Sequence, residues 1–216
     1  METTVVLVRH GESEGNISGK CIFLGDVALT PRGIKQAERT AQYVNGKYKF
    51  DVIVSSDLQR AVNTAQKIAD LQGLPIIKDK RFREINAGDW EGLPYEETPV
   101  KYPKTYWQWN NDISNVAFEG GESIKYHHKF VNDALFDIMQ RFAGKTILLV
   151  CHATPIRMME CTIYGKDLSY AQEIKFVPNA SVTAFKYKDG NFTVIERGTV
   201  EHMADLMPVP SVLERK

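Results

Sequence analysis

The sequence predicts an α/β protein, a three-layer α/β/α sandwich with a mostly parallel central sheet, helices on both faces and a small inserted cap. Short apolar runs alternate with amphipathic helical segments, which is the pattern of parallel strands joined by helices. Two of the runs, residues 5–8 and 146–150, are almost continuously apolar, as expected of strands that are buried on both faces.

The first third of the chain reads as strand, helix, strand, helix, strand. Thr30 followed by Pro31 marks the first helix start, because threonine caps helices and proline suits the first helical position. Ile34 lies on the predicted apolar face of this helix. A strand at about residues 51–54 and a helix at about residues 58–71 follow, and a further short strand comes next.

The middle of the chain has a different character. Residues from about 93 to 118 show no clear period and are rich in tyrosine and tryptophan. We interpret them as an inserted cap over the ligand-binding edge of the sheet, held by short helices. A packed surface segment and a subunit interface are the alternatives, since aromatic patches also mark interfaces.

The last part of the chain returns to regular elements. A long helix is predicted from Gly120 to about Phe142, with His128 on its apolar stripe. A buried strand follows, and then a helix that starts near Pro155. Asp189 and Gly190, between two strand-like segments, predict a β-hairpin.

Length and composition are those of an ordinary globular protein. The 216 residues are 43% hydrophobic and 25% charged, which suits a single domain, residues 1–216, with the cap inserted. Basic and acidic residues balance at 27 each, so no long-range field would attract nucleic acid or an anionic membrane. We therefore expect neither of these partners.

Three cysteines, Cys21, Cys151 and Cys161, are an odd number without CxxC spacing. This favours free thiols in a reducing cytoplasm over disulfides, and it gives no support for a zinc site. The start of the chain lacks the features of a signal peptide, and no apolar run is long enough to span a bilayer. A cytoplasmic location is the expectation.

Both buried strands end abruptly in a histidine. Arg9 and His10 follow the first strand, and His152 follows the second. Parallel strands place their carboxyl ends at one edge of the sheet, where open α/β sheets bind ligands, so the imidazoles meet if the strands are neighbours. Arg60, on the first turn of a helix after a third strand, comes to the same edge.

These residue types suit a dianionic phosphoryl group. Arginine offers a rigid fork of donors for phosphate oxygens, and imidazole carries a nucleophilic nitrogen near neutral pH. The helix that starts after His152 would point free N–H groups at the same spot, and Glu84 is the nearby acid. The residues alone leave open that the histidines are packed core residues and that Arg60 simply pairs with Asp57.

Four pieces of the sequence occur in a recognisable order. They are Arg9-His10-Gly11-Glu12 with Asn16, then residues 55–61, then Glu84 before residues 88–92, and finally His152. Together they resemble the histidine phosphatase superfamily, in the branch related to cofactor-dependent phosphoglycerate mutases and the fructose-2,6-bisphosphatase domain. The resemblance covers roughly residues 1–201.

The resemblance implies a role for each matching residue. His10 would be the nucleophile that forms phosphohistidine. Arg9, Arg60 and His152 would hold the phosphoryl oxygens, with Asn16 in support. Glu84 would protonate the leaving alkoxide and then deprotonate water. The family needs neither a metal ion nor a cofactor for this chemistry.

Two stretches depart from the common pattern. Ala153 stands where many relatives have glycine after the second histidine, and a methyl group there is tolerated if φ is negative. The loop that we expect to set specificity, Cys21, Ile22, Phe23 and Leu24, is more apolar than the polar loop common in mutases. This disfavours a polar bisphosphate substrate.

The leading hypothesis is a metal-independent phosphomonoesterase that hydrolyses a small phosphorylated metabolite through a phosphohistidine. The first alternative is a cofactor-dependent phosphoglycerate mutase, although the interval between Glu84 and His152 is short and more aromatic than basic. The second alternative is a catalytically inactive module that binds a phosphorylated ligand. A homodimer stays open.

Overall fold

The computed structural model describes residues 1–207 and shows a six-stranded sheet covered by helices. In chain order the strands are β1 Thr3–Arg9, β2 Val52–Ser55, β3 Ile76–Lys78, β4 Thr146–Cys151, β5 Val182–Lys188 and β6 Asn191–Thr199. The α-helices are α1 Glu14–Ile17, α2 Pro31–Lys47, α3 Gln59–Gln72, α4 Thr98–Lys101, α5 Pro103–Asn111, α6 Ile124–Arg141 and α7 Ala153–Ile163. Short 3₁₀ segments cover Lys80–Phe82, Gly88–Trp90, Tyr95–Glu97, Ile113–Asn115, Leu168–Gln172 and Glu201–Leu206.

The strand order in the sheet is β3-β2-β4-β1-β5-β6. The first four strands of the chain run parallel to one another, and β5 and β6 form an antiparallel hairpin at one edge. At the hairpin turn Asp189 and Gly190 have φ values of 50° and 85°, the left-handed conformation that a tight two-residue turn requires. The predicted fold class and the predicted hairpin are confirmed.

The two apolar strands β1 and β4 are neighbours, with Arg9 in register with Cys151. Alternate side chains of β1 enter two separate cores. Val5 packs on the face covered by α6 and α7, whereas Val6 packs on the face covered by α2 and α3. Because both faces are covered, the central positions of both strands, residues 5–8 and 147–150, are all apolar.

Helix α2 begins where the sequence predicts, because Thr30 Oγ1 accepts a hydrogen bond from a backbone N–H of its first turn at 3.0 Å. Its buried face is different from the prediction. Gln36 and Thr40 are fully buried, whereas Ile34 is 40% exposed, so the placement of Ile34 in the core is wrong. The polar side chains are tolerated because they are hydrogen-bonded, as Gln36 Oε1 is to Glu12 N–H at 2.8 Å.

Two further helices differ in detail from the prediction. Helix α6 begins at Ile124 rather than at Gly120, capped by the hydroxyl of the preceding serine. His127 is the buried histidine of this helix, at 3% exposure, and His128 is only partly buried. Helix α7 begins at Ala153, directly after the second buried strand.

Gly33 and Gly46 provide a matched test of packing within α2. A Cβ atom on Gly33 would lie 1.9 Å from the carbonyl oxygen of Glu12, whereas one on Gly46 would meet nothing within 4 Å. We expect Gly33→Ala to lower the free energy of unfolding by about 3 kcal/mol, the upper end of overpacking costs. Gly46→Ala should raise it by about 0.5–1 kcal/mol through helix propensity. Urea unfolding measures both free energies. Equal changes in the two variants would contradict the close approach of Gly33 to the carbonyl oxygen of Glu12.

Residues 93–118 form short helical turns around a cluster of aromatic rings. Trp109 of α5 packs against Phe23 and Phe118, with ring centroids 6.1 and 5.5 Å apart. This contact joins the predicted cap to the loop that follows β1. The division of the chain into one domain with an inserted cap stays a prediction.

The three cysteines are free and buried. Cys151 ends β4, Cys161 lies in α7 and Cys21 packs in the core under the loop after β1. Within residues 1–207, no helix is both long and apolar enough to cross a membrane.

Candidate active site

The ends of β1 and β4 bring His10 and His152 together. Their ring centroids are 5.1 Å apart, and the rings are tilted by 58°. Both residues are buried, at 4% and 0% exposure. The sequence predicts this meeting on the condition that the two strands are neighbours, and β1 and β4 do pair in parallel.

The ring of His10 is held in one tautomer. Its Nδ1 lies 2.7 Å from the carbonyl oxygen of Gly11, and a carbonyl can only accept a hydrogen bond, so Nδ1 carries the proton. Burial lowers the pKa of His10 well below its usual range, and the cations Arg60 and Arg9 add to this effect. The ring is therefore neutral at pH 7, and Nε2 keeps its lone pair.

The backbone of His10 is fixed from the opposite side of the site. Its carbonyl oxygen accepts hydrogen bonds from Ala180 N–H at 3.1 Å and from Asn179 Nδ2 at 3.0 Å. Asn179 Nδ2 also donates to Asn16 Oδ1 at 3.2 Å, and that oxygen accepts from Ser13 N–H at 2.9 Å. The oxygen of Asn16 is thus engaged, and its amide NH₂ is the part suited to an anionic ligand.

His152 is held by Ser56, which sequence reasoning did not assign to the site. His152 Nε2 lies 2.8 Å from Ser56 Oγ, and Leu58 N–H donates to the same oxygen at 3.4 Å. The serine hydroxyl can donate to Nε2, and in that arrangement the proton of the His152 ring lies on Nδ1. Within residues 1–207, this Nδ1 is buried without a hydrogen-bond partner. Burial, followed by nearby Arg60, lowers the pKa of His152 well below its usual range.

Two buried arginines border the histidine pair. Arg9 is 4% exposed and donates to the carbonyl oxygen of Val177 at 2.7 Å. Arg60 is 2% exposed and donates to the carbonyl oxygens of Phe23 and Gly25 at 2.5 and 2.8 Å. Both guanidinium groups are therefore fixed in place by backbone acceptors of the surrounding loops.

The alternative pairing of Arg60 with Asp57 is not what the structure shows. Asp57 instead accepts two hydrogen bonds from Arg83, both at 2.6 Å. Arg60 stays at the cavity, where its positive charge faces the two imidazoles.

Glu84 lies at the same cavity, beside the start of α7. Its Oε2 accepts a hydrogen bond from Thr154 N–H at 3.2 Å, and its Oε1 accepts one from Ile85 N–H at 2.9 Å. Ala153, the first residue of α7, also lines the cavity and has no positive φ, so its methyl group causes no backbone strain.

The cavity has two chemically distinct parts. The polar part is lined by Arg9, His10, Ser13, Asn16, Arg60, Glu84 and Thr154. The apolar part is lined by Ile22, Phe23, Trp109, Ala153 and Phe176. Sequence reasoning missed Phe176, which comes from an irregular segment with no recognisable period.

The four residues of the predicted specificity loop are divided among three environments. Ile22 and Phe23 line the cavity. Leu24 lines a neighbouring groove that shares Glu84. Cys21 is fully buried in the core, so its side chain is placed against protein rather than against the cavity. The roles assigned to all the site residues stay predictions.

Comparison with known proteins gives the family. The model of the histidine phosphatase superfamily (branch 1) matches residues 5–199. Phosphoserine phosphatase 1 of Hydrogenobacter thermophilus is 39% identical over 165 residues, which cover 76% of this chain and 78% of that protein. Phosphoglycerate mutase-like protein 4 of Arabidopsis thaliana is 33% identical over 204 residues, which cover 93% and 87% of the two chains.

Solved structures agree with this family. YhfR of Bacillus stearothermophilus superposes with a TM-score of 0.87 at 28% identity, covering 93% of this chain and 98% of that chain. A phosphoserine phosphatase mutant from Entamoeba histolytica, in complex with phosphoserine, gives a TM-score of 0.82 at 30% identity, with coverage of 93% and 99%.

The chain belongs to the histidine phosphatase superfamily, branch 1. Within that superfamily it is a phosphatase, a phosphoric monoester hydrolase, in agreement with its phosphoserine phosphatase relatives. The resemblance drawn from the sequence is confirmed.

Proposed function

We infer that the protein hydrolyses a small phosphate monoester through a phosphohistidine on His10, without a metal ion in the reacting complex. The observation that carries this inference is the contact between His10 Nδ1 and the carbonyl oxygen of Gly11. It leaves Nε2 unprotonated at the polar end of the cavity, and an unprotonated nitrogen is what attack on phosphorus requires.

The surrounding groups suit the charge of the transferred phosphoryl group. Arg9 and Arg60 offer fixed N–H donors at the cavity. His152 is fully buried beside His10 rather than among the described lining residues, and with Ser56 donating to Nε2 its Nδ1 offers an N–H that lacks a protein partner within residues 1–207. A phosphoryl oxygen would satisfy that N–H. Because these donors are already in place, they stabilise the developing charge without reorganisation.

In this proposal Glu84 serves both half-reactions. As Nε2 of His10 forms a bond to phosphorus, the bond from phosphorus to the leaving oxygen breaks, and Glu84 gives that oxygen its proton. In the second step Glu84 takes a proton from water, whose oxygen attacks phosphorus. The phosphorus–nitrogen bond then breaks, the electron pair returns to His10, and inorganic phosphate leaves.

Phosphoserine is the first substrate to test. Its support is the similarity to phosphoserine phosphatases from two organisms, at 39% and 30% identity. Sugar phosphates and a nucleotide-loop ribazole phosphate belong in the same screen. The lining residues suit a phosphate monoester but do not identify the alcohol that carries the phosphate.

A mutase would need to hold a second phosphate, and this cavity offers little for that. Among the described residues that line it, the arginines are Arg9 and Arg60, both at the reacting end. The remote wall is apolar, with Phe23, Trp109 and Phe176. Transfer between 2- and 3-phosphoglycerate that depends on a bisphosphate primer would favour the mutase, and binding without turnover would favour the inactive module.

The decisive experiment is to trap the phosphoenzyme. We expect incubation with ³²P-labelled phosphoserine in excess EDTA to label the protein, with label that survives alkali and is lost in acid, as a phosphorus–nitrogen bond behaves. Steady-state release of phosphate should continue in EDTA. Acid-stable label would contradict His10 as nucleophile, and loss of turnover in EDTA would contradict the metal-independent reaction.

A further inference from the structure

Glu84 belongs to a short stretch, residues 83–86, that we call the acid segment. The segment lies between two 3₁₀ turns and belongs to no helix or strand itself, although the Glu84 carboxylate accepts one hydrogen bond from Thr154 N–H of α7. On its N-terminal side, Arg83 is anchored by the two hydrogen bonds to Asp57. On its C-terminal side the anchor comes from the loop before α6.

That second anchor consists of two hydrogen bonds between Asn86 and Glu122. Asn86 N–H donates to Glu122 Oε2 at 3.2 Å, and Glu122 N–H donates to the Asn86 carbonyl oxygen at 2.8 Å. A Cβ atom on Gly121 would lie only 2.4 Å from that same carbonyl oxygen, which shows how closely the two stretches approach. The carboxylate of Glu122 thus reaches the acid segment two residues from Glu84.

The carboxylate is itself held by His127 on the first turns of α6. His127 Nδ1 lies 3.3 Å from Glu122 Oε2, and the imidazole is buried at 3% exposure. Burial alone would raise the pKa of Glu122, but the hydrogen bonds from His127 and from Asn86 hold that pKa below its usual range. Glu122 is therefore an ionised acceptor at neutral pH.

We propose that Glu122 and His127 are positioning residues, which fix the acid segment so that the Glu84 carboxyl meets the leaving oxygen of the substrate. The proposal rests on the proposed function, in which Glu84 is the general acid. Neither residue is among the described residues that line the cavity, so Glu122 acts through Asn86, and His127 acts through Glu122, rather than by touching the reacting atoms.

Leaving-group chemistry separates this role from a merely structural one. A serine alkoxide is a poor leaving group and depends on proton donation, whereas 4-nitrophenolate leaves well without a proton. A displaced Glu84 should therefore slow attack on phosphoserine far more than attack on 4-nitrophenyl phosphate. General loss of folded protein would lower both rates by the same factor.

The test measures kcat/KM for both substrates, since this ratio reports the first half-reaction. We expect Glu122→Ala and His127→Leu to lower kcat/KM for phosphoserine by about 30–100-fold, and for 4-nitrophenyl phosphate by less than about threefold. Glu122→Gln keeps an acceptor for Asn86 and should recover most of the loss. His128→Leu, one position along the same helix, is the matched control and should change neither rate.

Glu84→Gln serves as the reference variant. If Glu84→Gln shows the selective loss but Glu122→Ala and His127→Leu do not, the positioning role is overturned and the proposed function stands. If Glu84→Gln lowers kcat/KM for both substrates by the same factor, the role of Glu84 as general acid in the proposed function is overturned, and the positioning role is overturned with it. Circular dichroism and thermal unfolding identify any variant that fails to fold, and whichever of Glu122→Ala and His127→Leu is folded then carries the comparison.

Discussion

Replacing His10 with alanine is expected to reduce turnover of any accepted phosphate monoester by roughly 10⁴-fold or more, as removal of a catalytic nucleophile does elsewhere. The methyl group cannot form the phosphorus–nitrogen bond, so the two-step reaction has no first step. The arginines and His152 would still hold the phosphate, so KM or the inhibition constant of inorganic phosphate should change far less. Steady-state kinetics and ³²P labelling measure these effects.

The variant also offers a test of folding. The His10 side chain makes a single described hydrogen bond, to the neighbouring carbonyl oxygen of Gly11, so its removal should not unfold the protein. His128→Ala, at a partly buried histidine on α6, is the control and should keep full activity. Near-normal turnover by a folded His10→Ala protein would assign the nucleophile to another residue.

Replacing Arg60 with methionine is the second change with a large expected effect. We expect kcat/KM to fall by about 10²–10³-fold, because one preorganised donor to the developing phosphoryl charge is lost. A further effect follows from the contacts of the guanidinium group. The carbonyl oxygens of Phe23 and Gly25 lose their donor, so the loop that forms the apolar wall should become more mobile.

Kinetics and amide hydrogen exchange measure the two effects of Arg60→Met separately. Arg39→Met is the matched control, since Arg39 is exposed on α2 and its described ion pair is a loose one with Asp205 at 3.7 Å. Arg60→Lys keeps the charge but cannot reach two carbonyl oxygens as a fork does, so it should restore only part of the activity. Unchanged activity in Arg60→Met would remove this residue from the proposed mechanism.

The central part of the fold and of the site follows directly from the sequence. Residues 5–8 and 146–150 are apolar at nearly every position, and that pattern has few explanations other than strands with both faces covered. That the two strands are neighbours is a fact of the structure. A histidine directly after each strand must then lie at the shared edge. Thr30 likewise predicts the start of α2, because capping is a local interaction between residues close in sequence.

The parts of the fold and of the site that the sequence did not predict depend on contacts between segments that are distant in the sequence. Ser56 looks like a capping residue in the sequence, and only the fold places its hydroxyl 2.8 Å from His152. Asn179 holds the carbonyl oxygen of His10 across 169 positions. Period alone places Ile34 and His128 on buried faces of their helices. The structure instead buries Gln36 and His127, because each has a polar partner, Glu12 N–H for Gln36 and the Glu122 carboxylate for His127.

The burial of the three cysteines bears on how the enzyme responds to oxidants. Burial raises the pKa of Cys21 to about 12 and that of Cys161 to about 11, and it raises that of Cys151 further. The reactive thiolate is thus almost absent at neutral pH, and each sulfur is covered by the core. Peroxide and iodoacetamide inactivate phosphatases whose nucleophile is a cysteine thiolate. None of the three cysteines here offers such a thiolate, so we expect the phosphatase activity of this enzyme to persist after treatment with either reagent.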